Sequence, residues 1–234
     1  MEEFFRENYS ILTKLVVLAA AVSGLFNYKK FKGTVVAKFI VFLVFVFFIE
    51  IIATYPRYLI SLNKYHLLDG LLIRENHWWY ALAWTTGSAL FFSYYYRTIV
   101  KTKTLKIVLK YLFWIMVFTV IVTAIVDYTY IFSSFPVAIE IVSFFVVVLS
   151  ALIYFIDVLQ SDTILKFYKS IHFYISGAVL FWWLVTTPLI FYQEYHSNVD
   201  WNYIILKWQI LLFANIFMYI TFTIALLWCK PQNN

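Results

Sequence analysis

The sequence predicts an all-α, polytopic integral membrane protein. Of its 234 residues, 64% are hydrophobic and only 13% are charged, about half the charged fraction of an ordinary soluble domain. The apolar residues form continuous runs near the ~20 residues that a helix needs to cross a bilayer, whereas barrel strands alternate in polarity over about ten residues. These observations exclude a soluble fold and favour membrane helices over a membrane barrel.

Seven apolar runs follow one another, and we predict that each is a transmembrane helix of a single domain covering residues 1–234. The predicted spans are 9–28, 35–55, 78–96, 108–132, 137–159, 171–192 and 203–228. The longest connection, residues 57–77, has apolar residues at helical spacing, which predicts a helix at the membrane interface. Acidic residues precede the first run and Lys14 lies inside it, so we interpret it as a span rather than a signal peptide.

Basic residues cluster in alternate connections, and this pattern orients the predicted helices. Most of the Lys and Arg follow the first, third, fifth and seventh spans: Lys29, Lys30, Lys32, Lys38, Arg97, Lys101, Lys103, Lys106, Lys110, Lys166, Lys169 and Lys230. Because cytoplasmic connections are enriched in Lys and Arg, we expect an outside N-terminus and a cytoplasmic C-terminus in the bacterial inner membrane. The partners expected for this basic face are anionic lipids, not nucleic acid.

Five ionisable residues share the outer third of the predicted spans and are the candidate ligand-binding residues: Lys14, Glu50, Asp127, Glu140 and Lys207. A charged side chain at membrane depth is costly unless it is paired or faces a cavity, so we predict that this set lines a polar pocket open to the outside. Glu50 is the first candidate because it is the deepest and, unlike a lysine, cannot reach far towards water.

Two other interpretations of these charges stay open. In one, Glu50 forms an ion pair with Lys14 or Lys207 that only holds helices together, while Asp127 and Glu140 cap a hairpin exposed to water. In the other, the charges form a proton or ion pathway. Closer to the cytoplasmic side, we expect Asp157 to be solvated at its helix end and His172 to lie at the interface.

The chemistry-bearing motifs of common enzymes are missing from this sequence. It contains no H-E-x-x-H, G-x-S-x-G or phosphate-binding loop, and its single Cys excludes a cysteine metal site. The spacing of His66, His77 and His196 matches no ligand motif. We therefore predict no catalytic residue, no metal and no cofactor.

Helix contacts are predicted from small and amide side chains. Ala20 and Gly24, four residues apart, and the Ser176-Gly177-Ala178 stretch would let backbones approach closely. Asn215 and Tyr219, one turn apart, are expected to hydrogen-bond between helices.

Two stretches carry a resemblance to a group of known proteins. Residues 27–33 and 215–230 resemble uncharacterised bacterial seven-helix membrane proteins, which implies the seven-helix plan and no particular activity. The plan also resembles that of microbial rhodopsins, including a Thr186-Thr187-Pro188 segment. However, Asn215 and Tyr219 occupy the middle of the last span, where a retinal protein needs its lysine, so retinal is not expected.

Three function classes follow from these predictions. The leading one is a receptor-like or regulatory membrane subunit that signals through a membrane or cytoplasmic protein partner, because the sequence shows a polar outer site and no output domain. The alternative is a transporter or channel for a small solute or ion, although the helices show no convincing inverted repeat. The second alternative is an intramembrane enzyme that uses Glu50 and Asp127 as a carboxylate pair.

Overall fold

The computed structural model describes residues 2–126, 132, 137–161, 167–195 and 201–231, and within these ranges every regular element is helical. The all-α prediction is therefore confirmed. The helices are α1 (Glu2–Phe26), α2 (Tyr28–Phe31), α3 (Val35–Ile52), α4 (Tyr55–Ser61), α5 (His77–Tyr80), α6 (Gly87–Ile99), α7 (Lys103–Val126), α8 (Val137–Leu159), α9 (Ile171–Tyr195) and α10 (Trp201–Trp228). A π-helical segment, Ala81–Thr86, joins α5 to α6.

Six helical segments in the described part of the chain are long and apolar enough to cross a membrane. They are Asn8–Phe26, Val35–Ser61, Lys103–Val126, Val137–Leu159, Ile171–Leu189 and Tyr203–Trp228. The chain is thus a multi-span membrane protein. The predicted span 78–96 is also helical, from His77 to Ile99, but its Thr, Ser, Gly and Tyr residues lower its hydropathy. It is not one of the six, so the seventh span stays a prediction.

The connection predicted as an interfacial helix is only partly helical. Pro56 lies in the first turn of α4, where a missing N–H removes no helical hydrogen bond. The chain then reverses at Asn63, with φ 55°, and at Gly70, with φ 78°, a left-handed conformation that Asn and Gly tolerate best. Two short 3-10 turns, Tyr65–Leu68 and Leu72–Arg74, complete the segment.

The chain divides into two compact units, and each is described by itself. The first unit contains residues 1–44 and 151–234. In it α1 packs along α10, and α10 packs against α9. The Lys30 ammonium, just after α1, donates to the carbonyls of Leu226 and Leu227 at distances of 3.4 and 3.2 Å. The C-terminal ends of α1 and α10 therefore lie side by side, so the two helices run parallel.

The second unit contains residues 45–150. Here α6 packs against α7, and the Ser143 hydroxyl of α8 donates to the Met116 sulfur of α7 at 3.4 Å. The Phe45 ring of α3 lies 3.7 Å from where a Cβ at Gly87 would stand. The prediction of a single domain over the whole chain stays a prediction.

Gly24 confirms one predicted close approach, whereas Gly177 does not. A Cβ at Gly24 would lie 3.0 Å from Cγ2 of Ile40 on α3, and Ile40 is fully buried. A Cβ at Gly177 would meet no atom within 4 Å. The expectation was wrong at Gly177, because small-residue spacing does not say which side of a helix faces a neighbour.

We expect Gly24→Ala to lower the free energy of unfolding by about 1 kcal/mol, because Ile40 has no room to move away. The matched change Gly177→Ala should raise it by about 0.5–1 kcal/mol, because Ala favours a helix over Gly. Thermal or denaturant unfolding in detergent measures both. Equal effects at the two positions would contradict the assigned contact.

Candidate functional site

The five charged residues predicted to line one pocket belong to different parts of the structure. Lys14 on α1 and Lys207 on α10 lie in the first unit, whereas Glu50 on α3 and Glu140 on α8 lie in the second. All four side chains are half-buried. Asp127 lies outside the described residues. A shared pocket therefore stays a prediction.

Glu50 has a defined partner within its own unit. The Tyr80 hydroxyl, at the end of α5, donates to Oε1 of Glu50 at 2.7 Å. Hydrogen bonds to a carboxylate are among the stronger ones in proteins. Sequence reasoning identified Glu50 as a residue that needs a partner, but it did not identify Tyr80 as that partner.

The segment between α3 and α5 is folded back by side chains that bond to its own backbone. Asn76 Nδ2 donates to the Ala53 carbonyl at 2.5 Å, and the Trp78 indole donates to the Leu72 carbonyl at 2.9 Å. The Tyr55 hydroxyl donates to the Ile73 carbonyl. These bonds hold the start of α5 beside the end of α3, which is what brings Tyr80 to Glu50.

Arg74 lies on the exposed side of the same segment. Its Nη1 lies 3.4 Å from Oδ1 of Asp69, with both side chains at least half exposed. A hydrogen bond to Tyr65, and then the charge of Asp69, raise the pKa of Arg74 above its ordinary value. Arg74 therefore stays charged, and its ion pair lies in water, where such pairs contribute little to stability.

The π-helical segment begins at the residue after Tyr80. The Gly87 N–H donates to the Leu82 carbonyl five residues earlier, the bond that defines a π-helix. Thr85 and Thr86 are buried, and the Thr86 hydroxyl has no hydrogen-bond partner among the described residues. A π segment carries one residue more than the α-helix needs, and such segments are common at functional sites.

A second polar group joins three helices of the first unit. The Trp182 indole of α9 donates to Oδ1 of Asn215 on α10 at 2.6 Å, and Nδ2 of Asn215 donates to the Tyr9 hydroxyl of α1 at 3.3 Å. The Tyr9 ring also packs edge-on against Trp208, the residue after Lys207, at 4.7 Å. The expected hydrogen bonding of Asn215 between helices is confirmed.

Two buried hydroxyls lie one helical turn from this network. Thr13 follows Tyr9 by four residues and Thr186 follows Trp182 by four, so each shares a helix face with a member of the network. Neither hydroxyl has a partner in the described structure, whereas Thr221 and Thr223 bond to the carbonyl four residues before. Each is a buried polar group that lacks a hydrogen-bond partner within the described ranges, which costs free energy.

A buried cluster at the end of α8 and the start of α9 was missed by sequence reasoning. Asp157 and His172 are only 6% and 5% exposed, so the expectation of a solvated Asp157 is wrong, whereas the interfacial depth expected for His172 stays a prediction. Tyr154 and Ser170 share a side-chain hydrogen bond, and the Asp157 carboxylate lies close enough to act on the Tyr154 hydroxyl. The available signal was the spacing of Tyr154 and Asp157, which places them on one helix face.

The histidines of the α3–α5 connection do not gather into a metal centre in the described structure. His66 is exposed, Nδ1 of His77 lies 3.9 Å from Oε2 of Glu75, and His196 lies outside the described residues. No group of three His, Cys, Asp or Glu side chains suited to a metal occurs within the described ranges.

The chain was compared with known proteins at three levels. It matches no protein-family model, no curated protein and no solved structure. The resemblance to bacterial seven-helix proteins therefore stays a prediction.

We expect the Glu50–Tyr80 bond to appear as an energetic coupling between the two residues. A double-mutant cycle of Glu50→Gln and Tyr80→Phe should give a coupling of about 1–2 kcal/mol. This lies between the values typical of hydrogen bonds to charged groups and of hydrogen bonds between membrane helices. Unfolding measured in detergent gives the four free energies. The control pairs Glu50→Gln with Tyr58→Phe, since Tyr58 is 65% exposed, and its coupling should be near zero.

Asn215 should be coupled in the same way to Trp182. A cycle of Asn215→Leu and Trp182→Phe should give about 0.6–1.7 kcal/mol, the range found for hydrogen bonds between membrane helices. The adjacent and equally buried Trp183 supplies the control, Trp183→Phe. A coupling to Trp183 as large as that to Trp182 would show that general packing, and not the bond, links the helices.

Proposed function

We propose that the protein is a receptor-like membrane subunit in which the Glu50–Tyr80 bond responds to a ligand and the π segment transmits the response. One observation carries this proposal: Tyr80 is bonded to Glu50, and the π segment starts at the very next residue. A contact that a ligand can break is thus joined directly to a helical turn with two possible arrangements.

The physics of the switch follows from helix geometry. When a π turn becomes an α turn, the extra residue must move to one side, which rotates the adjoining helix by about 100° or shifts it by about 1.5 Å. The Phe45 ring beside Gly87 and the packing of α6 on α7 restrict this movement. Such tightly packed elements tend to change between discrete arrangements.

The expected ligand is a small cation or a molecule with strong hydrogen-bond donors. Glu50 accepts a bond from Tyr80, so a competing molecule must offer a donor or a positive charge to the same carboxylate. A ligand shifts the equilibrium only by its difference in affinity for the two arrangements. Direct competition with Tyr80 supplies such a difference.

We place this switch in a bacterial inner membrane with seven spans. In this proposal residues 78–96 form the third span, the N-terminus is outside and the C-terminus is cytoplasmic, as the distribution of Lys and Arg favours. Glu50 then lies near the outer surface and the C-terminal end of α6 near the cytoplasm. We assign the output to a membrane or cytoplasmic partner protein that contacts this end of α6 and α7.

The test measures whether a change at Tyr80 reaches the other end of α6. In a Cys229→Ser background, a thiol introduced by Thr98→Cys is labelled in nanodiscs with a water-soluble maleimide, since Thr98 is exposed. Loss of a bond of about 1–2 kcal/mol by Tyr80→Phe should change the labelling rate by about five- to thirtyfold. The control change, Tyr58→Phe, should leave the rate as it was.

Removal of Ala83 tests the π segment itself. Without the extra residue the helix becomes regular, and the labelling rate should no longer depend on residue 80. If Tyr80→Phe leaves the rate unchanged in the otherwise complete chain, while the protein stays folded by its unfolding transition, the proposed transmission is wrong.

A transporter or channel for a small polar solute is the second candidate. It is favoured by the unpartnered hydroxyls of Thr13 and Thr186 and by Pro188 inside α9, because freed backbone and hydroxyl groups at membrane depth can bind a solute. Purified protein in liposomes distinguishes the two. Solute flux that Thr186→Val abolishes and Tyr80→Phe leaves intact would favour transport over the receptor-like proposal.

A further inference from the structure

The segment from α6 to α7 has five basic residues and contains no acidic residue. The basic residues are Arg97, Lys101, Lys103, Lys106 and Lys110, and no Asp or Glu occurs anywhere between Glu75 and Asp127. Arg97, Lys103 and Lys110 are exposed, and Lys106 is half-buried. Lys103 and Lys106 lie in the first turn of α7, where the helix dipole favours negative rather than positive charge. This end of α7 therefore favours the binding of an anion.

The lysines share a helix face with large exposed aromatic rings. At about 100° per residue, Lys106, Lys110, Trp114 and Phe118 all lie within about 60° of Lys103 around the helix axis. Trp114 is 55% exposed and Phe118 is 68% exposed. The buried side chains of α7, Leu109 and Met116, lie on the opposite side. One exposed face of α7 thus presents lysines first and aromatic rings after them.

The length of this face matches a lipid. Lys103 and Phe118 are separated by 15 residues, which is about 22 Å along a helix. This distance covers a phospholipid headgroup and much of one acyl chain, since half of the hydrocarbon core is about 15 Å thick. Arg97, in the last turn of α6, adds a further cation, because α6 packs against α7.

We propose that this face of α7 is a binding site for one anionic phospholipid. The headgroup phosphate lies against Lys103, Lys106 and Lys110, and an acyl chain lies along Trp114 and Phe118. Ammonium groups bind phosphate as point charges, and the indole ring of Trp114 suits the boundary between headgroups and hydrocarbon. Exposed aromatic rings at lipid depth are what distinguish this site from a basic surface for nucleic acid or for free phosphate.

The site does not depend on the proposed receptor function. It requires only that α7 crosses the membrane, and it applies to whichever leaflet contains Lys103. A face whose lysines serve only to orient the protein would bind anionic lipid no better than the other basic connections do. This difference is what the experiment measures.

The experiment counts lipid that stays bound to the purified full chain by native mass spectrometry, with phosphatidylglycerol and phosphatidylcholine offered at equal concentration. One variant combines Lys103→Gln, Lys106→Gln and Lys110→Gln. The matched control combines Lys29→Gln, Lys32→Gln and Lys230→Gln, which removes the same charge from three exposed lysines elsewhere. The first variant should bind phosphatidylglycerol at least about tenfold more weakly, since each lysine near an anionic surface contributes appreciably, and the control should bind it normally.

A second variant, Trp114→Leu with Phe118→Ala, distinguishes the binding of a whole phospholipid from the binding of its headgroup alone. It should weaken the retention of phosphatidylglycerol and leave unchanged the binding of soluble glycerol phosphate at millimolar concentration. Equal losses in both lysine variants, equal retention of the two lipids, or tighter binding of an oligonucleotide than of phosphatidylglycerol would each overturn the proposal. Since the aromatic variant keeps every charge, it tests the site even if the lysine variant fails to fold.

Discussion

The hydrocarbon core of a bilayer contains no water, and this constraint underlies the rest of the structure. Every backbone N–H and carbonyl at membrane depth needs a partner in the chain, so the spans are helices. The same requirement applies to polar side chains. Thr221 bonds to its own backbone, and Asn215 bonds to two other helices at once. Glu50 takes its partner from the segment that folds back after α3.

These hydrogen bonds restrict how neighbouring helices are placed, because each bond forms only at one depth and one rotation of the helix. Polar residues in this protein therefore specify helix alignment more narrowly than the abundant apolar side chains do.

Polar groups that lack a regular hydrogen-bond partner at membrane depth are informative for the same reason. The π segment exchanges regular helical bonds for bonds one residue longer, and the buried hydroxyls of Thr86 and Thr186 have no partner within the described structure. Such features cost free energy in a medium without water. In the proposed switch, a helix that retains them reaches another arrangement by gaining bonds instead of losing them, which keeps the free-energy difference between the two arrangements small. A switch or a solute-binding site needs such a small difference. The location of the π segment, between the bonded Tyr80 and the packed Gly87, would limit the change to a rotation or shift of the helix.

Sequence patterns predicted those features that depend on a single helix. Continuous apolar runs predicted the helices, and the cost of a carboxylate at membrane depth identified Glu50 as a residue that needs a partner. Features that depend on two helices were predicted less well. Tyr80 was missed as that partner because the folded-back segment, held by Asn76 and its neighbours, sets the register between α3 and α5. Asp157 was expected to be solvated because only its distance from the end of its own helix was considered. It is buried close to Tyr154, whose hydroxyl shares a hydrogen bond with Ser170 before α9, and that contact between two segments cannot be read from α8 alone.

The α6–α7 pair joins the two proposals, because both act on the same packed helices. The π segment adjoins one end of α6, and the basic face of α7 lies near its other end, beside Arg97. A phospholipid bound to Lys103 and Lys110 would restrain α7, and through the packing of α6 on α7 it would favour one arrangement of the π segment over the other. Coupling of this kind is reciprocal. If the lipid favours the arrangement in which Tyr80 is bonded to Glu50, then a molecule that competes for Glu50 must weaken lipid binding by the same factor. The composition of the membrane would therefore set the concentration of ligand at which the proposed switch responds, without any contact between lipid and ligand.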